Sequence, residues 1–309
     1  MELKPNTIAE LSELLACANT RGEKISSVDL AALNRVLEHK AEDMTATVEA
    51  GMTLVAFQNE LRQRGQWLPI DPPHPETLTI GNLLSANSSG PRRFGYGTIG
   101  DYLIGMKAVL ADGRLIAPGG KVVKNVAGYD LAKIFVGGQG SLGVVVEATF
   151  KLRPLPERET FVQKKCNSLA EAGTLIEAVL DSELTPVVLD LHNTSGSYSF
   201  VLGFAGTNEE VAWQLDKASA LGVKEPASLD YDREFWLQRT TANKIAVLPS
   251  KIIEAVQGLN GASFVARVGN GVIFHNDTTA PKKADLPLHL FQRLKDEYDP
   301  KHILPELTL

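Results

Sequence analysis

Fourteen of the chain's 26 glycines fall between Gly81 and Gly143, where they alternate with small and polar residues. Glycine costs conformational entropy inside regular structure, so such a run is tolerated where backbone must come close to something bulky. Ser85, Ala86, Ser88 and Ser89 cluster beside Gly81 and Gly90. Backbone amides there could meet an anionic or planar ligand with no side chain between them. The plainer reading is a loop-rich β domain whose glycines serve only turns.

Other chemistry-bearing residues are sparser. His74 sits between prolines in DPPHPE, so its backbone is extended. It could act near pH 7 as a base or hydrogen-bond partner, with a structural role the stronger reading. Arg92 and Arg93 follow Gly90-Pro91. Paired guanidiniums suit a carboxylate or phosphate, and equally a partner interface. Lys124, Tyr129 and Asp130 in KNVAGYD could line a pocket, or Asp130 could cap the helix DLAKIFV. His192, His275 and His289 are scattered and make no constellation with an Arg or Tyr, so no catalytic residue is assigned. The two cysteines, Cys17 and Cys166, read as buried free thiols of a reducing compartment. Two cysteines cannot supply four-cysteine iron–sulfur ligation.

Three ordered blocks are more specific: PHPETLTIGNLLSANSSG from Pro73 to Gly90, YGTIGD from Tyr96 to Asp101, and GGQGSLGVVVEATFKLRP from Gly137 to Pro154. In this order they resemble the flavin domain of the vanillyl-alcohol oxidase/PCMH superfamily of FAD-linked oxidases. The likeness covers roughly residues 40 to 156 well. The wording PPH, GPRR and KNVAGYD looks most like the E-subunit family of bacterial glycolate oxidases. The resemblance implies an α+β fold: a PCMH-type FAD-binding domain of two α+β subdomains (1–156) and a C-terminal antiparallel-sheet cap domain (157–309) with a returning helix. It implies FAD as cofactor. Pro73, His74, Pro75, Glu76, Thr77, Leu78 and Thr79 would form the approach to the flavin, and Thr79, Gly81 and Asn82 would meet the pyrophosphate or ribityl chain. Ala86, Asn87, Ser88, Ser89 and Gly90 would lie along the ring. Gln139, Gly140, Ser141, Leu142, Gly143, Val144 and Val145 would hold the adenosine end. Family partners are a larger catalytic flavoprotein subunit and an iron–sulfur subunit, which implies an accessory role in 2-hydroxy acid oxidation. A cofactor-free interaction subunit is the alternative.

One departure stands out. The family's first flavin loop is a glycine cradle for the pyrophosphate, yet no glycine occurs here between Gly22 and Gly51. Ser26 and Ser27 could offer hydroxyls to a phosphate, or start a helix DLAALNRVLEH. Each lost charge-assisted hydrogen bond is worth about 1.5–3 kcal/mol, so weak flavin binding is expected. The family's closing N-P-G is Leu304-Pro305-Glu306 here.

The positioning elements follow from pattern. IAELSELLACA has helical apolar spacing (Ile8, Leu11, Leu14, Leu15) with Asn6 or Thr7 as cap. TATVEAGMTLVAFQNELRQRG reads as strand, turn and helix, ended by Gly65. YLIGMKAVLADGRLIAP predicts a hairpin around Asp112-Gly113, and GVVVEATFKLRPLP a long strand that Pro154 and Pro156 terminate. Beyond it, LAEAGTLIEAVLDSELTP and NEEVAWQLDKASALG read as helices, VVLDLHN and SYSFVLGFAG as strands, and HLFQRLKDEYDPKHILP as the returning helix. A net charge of −6 and pI near 5.6 exclude a nucleic-acid partner of the usual basic kind. No apolar run reaches the ~18 residues of a membrane span, and MELKPNTIAE has no signal-peptide core. A cytoplasmic protein is expected.

Overall fold

The computed structural model describes residues 1–120, 131–193, 196–237, 242–259, 261–277 and 288–307. The first half runs β1 (Glu2–Leu3), α1 (Ile8–Arg21), β2 (Ser27–Val28), β3 (Val36–Lys40), β4 (Thr45–Glu49), α2 (Leu54–Arg62), β5 (Gln66–Trp67) and α3 (Ile80–Ala86). The short helices α4 (Arg93–Tyr96) and α5 (Ile99–Tyr102) lead into β6 (Leu103–Val109), β7 (Leu115–Ile116), β8 (Val144–Lys151) and β9 (Arg153–Pro154). A five-stranded antiparallel sheet in the order β3-β4-β8-β6-β7 organises this half. All five residues of β4 are buried because both sheet faces are covered. Phe57, Leu61, Ile80, Leu83 and Phe150 pack on one face, and Leu11, Leu15, Val109, Val146 and Ile303 on the other.

The second half runs β10 (Arg158–Cys166), α6 (Leu169–Leu180), β11 (Val188–His192), β12 (Tyr198–Gly206), α7 (Asn208–Ala220), β13 (Glu225–Ala227) and α8 (Asp230–Leu237). It continues through β14 (Asn243–Ala246), α9 (Ile252–Gln257), β15 (Phe264–Arg267) and β16 (Val272–His275) to α10 (Leu288–Tyr298). Its sheet has the order β13-β10-β12-β11-β15-β16-β14, antiparallel throughout. Leu175, Ile176, Val211 and Ile252 from α6, α7 and α9 cover one face. Tyr231 and Phe235 of α8 pack with Val201 and Val265 on the other.

Local signals set most boundaries. The hydroxyl of Thr7 accepts from the Glu10 amide at 3.1 Å and starts α1, and Gly22 ends it at φ 67°. Thr53 and Ser168 cap α2 and α6 in the same way, and Thr207 with Glu210 makes a capping box at α7. The turn at Asp112-Gly113 closes β6 onto β7 with Gly113 at φ 86°, as its sequence predicts.

Two expectations are corrected. DLAALNRVLEH is not a helix: Asp29 to Asn34 form an irregular turn, and Val36–Lys40 pair with β4. The Asp29 carboxylate accepts from the Ala31 amide at 3.0 Å, an Asx turn that competes with helix. Cys17 is exposed, because it falls on the solvent side of α1, whereas Cys166 is buried; both are free.

Candidate functional site

The glycine-rich blocks converge on a cleft of about 420 Å3 in the first half of the molecule. Of the residues singled out from sequence, Thr79, Gly81, Asn82, Gln139, Gly140, Gly143, Val144 and Val145 line it together. The start of α3 builds one wall. Thr79 caps this helix through its hydroxyl, which accepts from the Asn82 amide at 3.2 Å. Gly81 packs closely on its neighbour: a β-carbon there would meet the Ala50 carbonyl oxygen at 3.2 Å, a tight contact. Gln139 sits at φ 50°, a conformation unusual for a side-chain-bearing residue, and its amide donates to the Ser85 carbonyl at 3.0 Å.

The remaining candidates go elsewhere. Pro73, His74, Pro75 and Glu76 line a second cleft of about 450 Å3, shared with Asp71, Arg92, Asp230, Asp232, Arg233 and Trp236. Backbone at His74 is left-handed (φ 54°) rather than extended, because its carbonyl accepts from the Thr77 and Leu78 amides in a tight turn. Ser141 and Leu142 turn away to a third cleft against α10. Thr77, Leu78, Ala86, Asn87, Ser88, Ser89 and Gly90 line none of these three clefts. Asn87 is the left-handed cap that ends α3, and Gly90 is packed against the Asp71 backbone. Lys124, Tyr129 and Asp130 lie outside the described residues.

Of the next wall, the sequence points to Ser27 and to the segment that begins at Asp29, but not to Ile25 or Val28. Ile25, Ser27, Val28, Asp29, Leu30 and Ala31 form a wall, from the stretch where the glycine cradle is absent. Leu304 and Pro305 close another side. The signal was present in Gly51, whose conformation is matched to the backbone of Leu30 and Leu33. Its amide donates to the Leu33 carbonyl at 2.8 Å.

A flavin dinucleotide makes three demands here. Small residues must admit it, and Ala50, Gly51, Gly81, Gly140 and Gly143 do so. Polar side chains must orient it, and Thr79, Asn82, Ser85 and Gln139 are available. Amide donors must meet its diphosphate, and here the fit is thin. The amides that open α3 are already used: Ile80 donates to Met52 at 2.9 Å, Gly81 to Ala50 at 2.7 Å, and Asn82 to Thr79. The Asp29 carboxylate adds a negative charge to the same lining. The cleft therefore fits the nucleoside and ring portions of FAD and offers its diphosphate little.

The second cleft has a buried charge network behind it. Arg92 bridges Asp71 (3.1 Å) and Glu159 (2.5 Å), tying the loop before α4 to β10. Burial pushes the Asp71 carboxyl up to about 7, against the pull of Arg92. Arg267 is fully buried and pairs with Asp190 and Asp232. The Tyr231 hydroxyl donates to Asp190 at 2.5 Å and its ring stacks on His192 at 4.2 Å. Burial, with the Arg267 charge nearby, drives His192 down to about 4 and keeps it neutral.

Comparison with known proteins agrees with this geometry. Residues 2–117 match the family model described as FAD binding domain. The chain is 37% identical over 158 residues to glycolate oxidase subunit GlcD of Bacillus subtilis (strain 168), covering 51% of this chain and 34% of that protein. It is 33% identical over 152 residues to glycolate oxidase subunit GlcE of Escherichia coli (strain K12), covering 47% and 43%. A D-lactate dehydrogenase of Archaeoglobus fulgidus is 41% identical over 120 residues, 38% of this chain and 26% of that protein. The chain thus spans less than half the length of these relatives. A solved structure of alkyldihydroxyacetonephosphate synthase shares the fold over 98% of this chain and 75% of its own, with TM-score 0.72 at 18% identity. By these matches residues 2–117 carry an FAD binding domain, and the chain is similar to glycolate oxidase subunits and to a D-lactate dehydrogenase.

Proposed function

We propose that the chain is an FAD-binding accessory subunit of a glycolate oxidase-type complex. A larger flavoprotein subunit there oxidises the 2-hydroxy acid to a 2-oxo acid, and an iron–sulfur subunit carries electrons onward. Residues 1–156 form the flavin domain and 157–309 the cap, whose C-terminal helix returns to the flavin domain, in a cytoplasmic setting. FAD, when bound, supplies the two-electron chemistry. Thr79, Asn82, Ser85 and Gln139 orient it by their polar groups, and Gly81, Gly140 and Gly143 leave it room.

The observation that carries the accessory role is the charge of the second cleft. Oxidation of a 2-hydroxy acid needs a cation for the carboxylate and a base at the hydroxyl. That cleft presents four carboxylates (Asp71, Glu76, Asp230, Asp232) against two guanidiniums (Arg92, Arg233). Arg92 is already spent on Asp71 and Glu159. With Asp71 paired to Arg92 and Asp232 to Arg267, Glu76 and Asp230 outnumber the one remaining guanidinium, Arg233, and a substrate carboxylate finds little free positive charge. The test is anaerobic addition of glycolate, D-lactate or D-2-hydroxyglutarate to the flavin-loaded chain, alone and with the larger flavoprotein. Bleaching is expected only in the assembled complex. Bleaching by the chain alone refutes the accessory role.

A second reading, a cofactor-free interaction subunit, draws support from the engaged amides at the start of α3 and from Asp29. A chain that purifies colourless, takes up no added FAD and still co-purifies with the larger subunit would establish it.

A further inference from the structure

The flavin cleft is walled partly by Gly140 and Gly143, which precede β8, and partly by Leu304 and Pro305, which follow α10. These stretches are far apart in sequence, and one buried side chain joins them from behind. The ammonium of Lys295 donates to the Ser141 carbonyl at 2.9 Å, the Leu304 carbonyl at 3.1 Å and the Pro305 carbonyl at 3.0 Å. Its charge is matched by Asp299 at 2.7 Å. Lysine has three N–H donors and four oxygens accept here, the Asp299 carboxylate included, so at least one donor is shared. Lys295 is 4% exposed and Asp299 is fully buried. The Asp299 carboxylate in turn accepts from the amides of Ile303 (3.0 Å) and Leu304 (2.8 Å). Ile303 then accepts from the amide of Ile25, another wall residue, at 2.7 Å.

We propose that Lys295, held by Asp299, is the positioning residue of the nucleotide cleft: it fixes the Gly140–Gly143 rim and the Leu304-Pro305 tail in one arrangement without lining the cleft itself. The claim rests on the cleft being the FAD site. Both stretches are irregular backbone, whose buried carbonyls have no strand partner and need a donor. An ammonium reaches three of them from one point. A methionine of similar length reaches none, and a guanidinium retains the charge and part of the donor set. Loss of Lys295 would free the rim and the tail to move independently, and the cleft would lose its shape on the side away from the Asp29 wall.

The test compares the parent with Lys295→Met, Lys295→Arg and Asp299→Asn in the full chain. Two measurements are made: FAD affinity from quenching of FAD fluorescence, and hydrogen exchange without FAD. Lys295→Met should weaken FAD at least tenfold and speed exchange at Gly140 to Val145 and at Ile303 and Leu304 together, leaving α6 unchanged. Lys295→Arg should recover most of both. Parent-like affinity and exchange in Lys295→Met overturns the proposal. Where Lys295→Met does not fold, Asp299→Asn carries the test: concerted faster exchange in the two stretches supports it, and unchanged or unlinked exchange overturns it. If the parent takes up no FAD but the exchange results hold, the cofactor reading fails and the positioning role stands.

Discussion

The carbonyl oxygen of Leu30 lies so close over the α-carbon of Gly51 that a β-carbon there would sit 1.8 Å from it. This contact seats the segment from Asp29 to Leu33, whose first three residues line the cleft, against the turn between β4 and α2. Gly51→Ala should therefore displace that segment and destabilise the chain by about 1–3 kcal/mol or more, as overpacked sites do. A chemical denaturation curve measures it, and a parent-like midpoint contradicts the packing.

Arg92 is the second lever. It joins Asp71 of the first half to Glu159 of β10, with all three side chains about one-fifth exposed or less. Removing one partner of a largely buried pair leaves an uncompensated charge and costs about 3–5 kcal/mol. Arg92→Met should lower the midpoint accordingly. A loss near zero would mean the bridge is solvated in solution.

His192 gives a pH dependence with a defined sign. Its ordinary value is 6.5 and burial lowers it to about 4 in the fold. Neutral His192 thus contributes stability that is fully present above pH 6.5 and is lost as pH falls toward 4. A shift of that size corresponds to roughly 3 kcal/mol. His192→Phe keeps a ring against Tyr231 and cannot protonate, so parent and variant should converge, or cross, as pH drops from 7 to 4. A stability difference constant across that range contradicts the assignment.

Asp29 tests the electrostatics of the cleft. Two unit charges about 4 Å apart in water interact by ~1 kcal/mol, a factor of about five in affinity. Asp29→Asn should tighten FAD by roughly that factor at low salt, and the gain should shrink as salt is added. Unchanged affinity would place the diphosphate away from this wall.

Much of the fold was legible because its elements carry local signals. Thr7, Thr53, Ser168 and Thr207 cap helices whose apolar spacing already marked them, and Asp112-Gly113 forms the expected turn. DLAALNRVLEH misled because tertiary demand overrode its helical composition. The Leu33 carbonyl accepts from the Gly51 amide, the Leu30 carbonyl packs against Gly51, and Val36 pairs with Val48. The cleft was half legible for a related reason. The glycine blocks named the wall built by α3 and the rim before β8, where composition reflects crowding. Ser27 and Leu304-Pro305 stand out in sequence only as departures from the family pattern, and their place in the wall, with Ile25, Val28 and Asp29 to Ala31, is set by distant contacts. Asn87 and Ser88 missed the cleft because α3 ends one residue earlier, in the left-handed turn at Asn87.

The segment from Asp29 to Ala31 walls the cleft of an FAD binding domain and should weaken its hold on the diphosphate. Titration of FAD into the flavin-free chain, followed by fluorescence or calorimetry, tests it most directly. Two lost charged hydrogen bonds cost about 3–6 kcal/mol, so the dissociation constant should be on the order of micromolar or weaker. Inserting Gly-Gly-Gly-Ser between Ile25 and Ser26 should tighten it. Nanomolar retention of FAD by the unmodified chain through extensive dialysis would contradict the account.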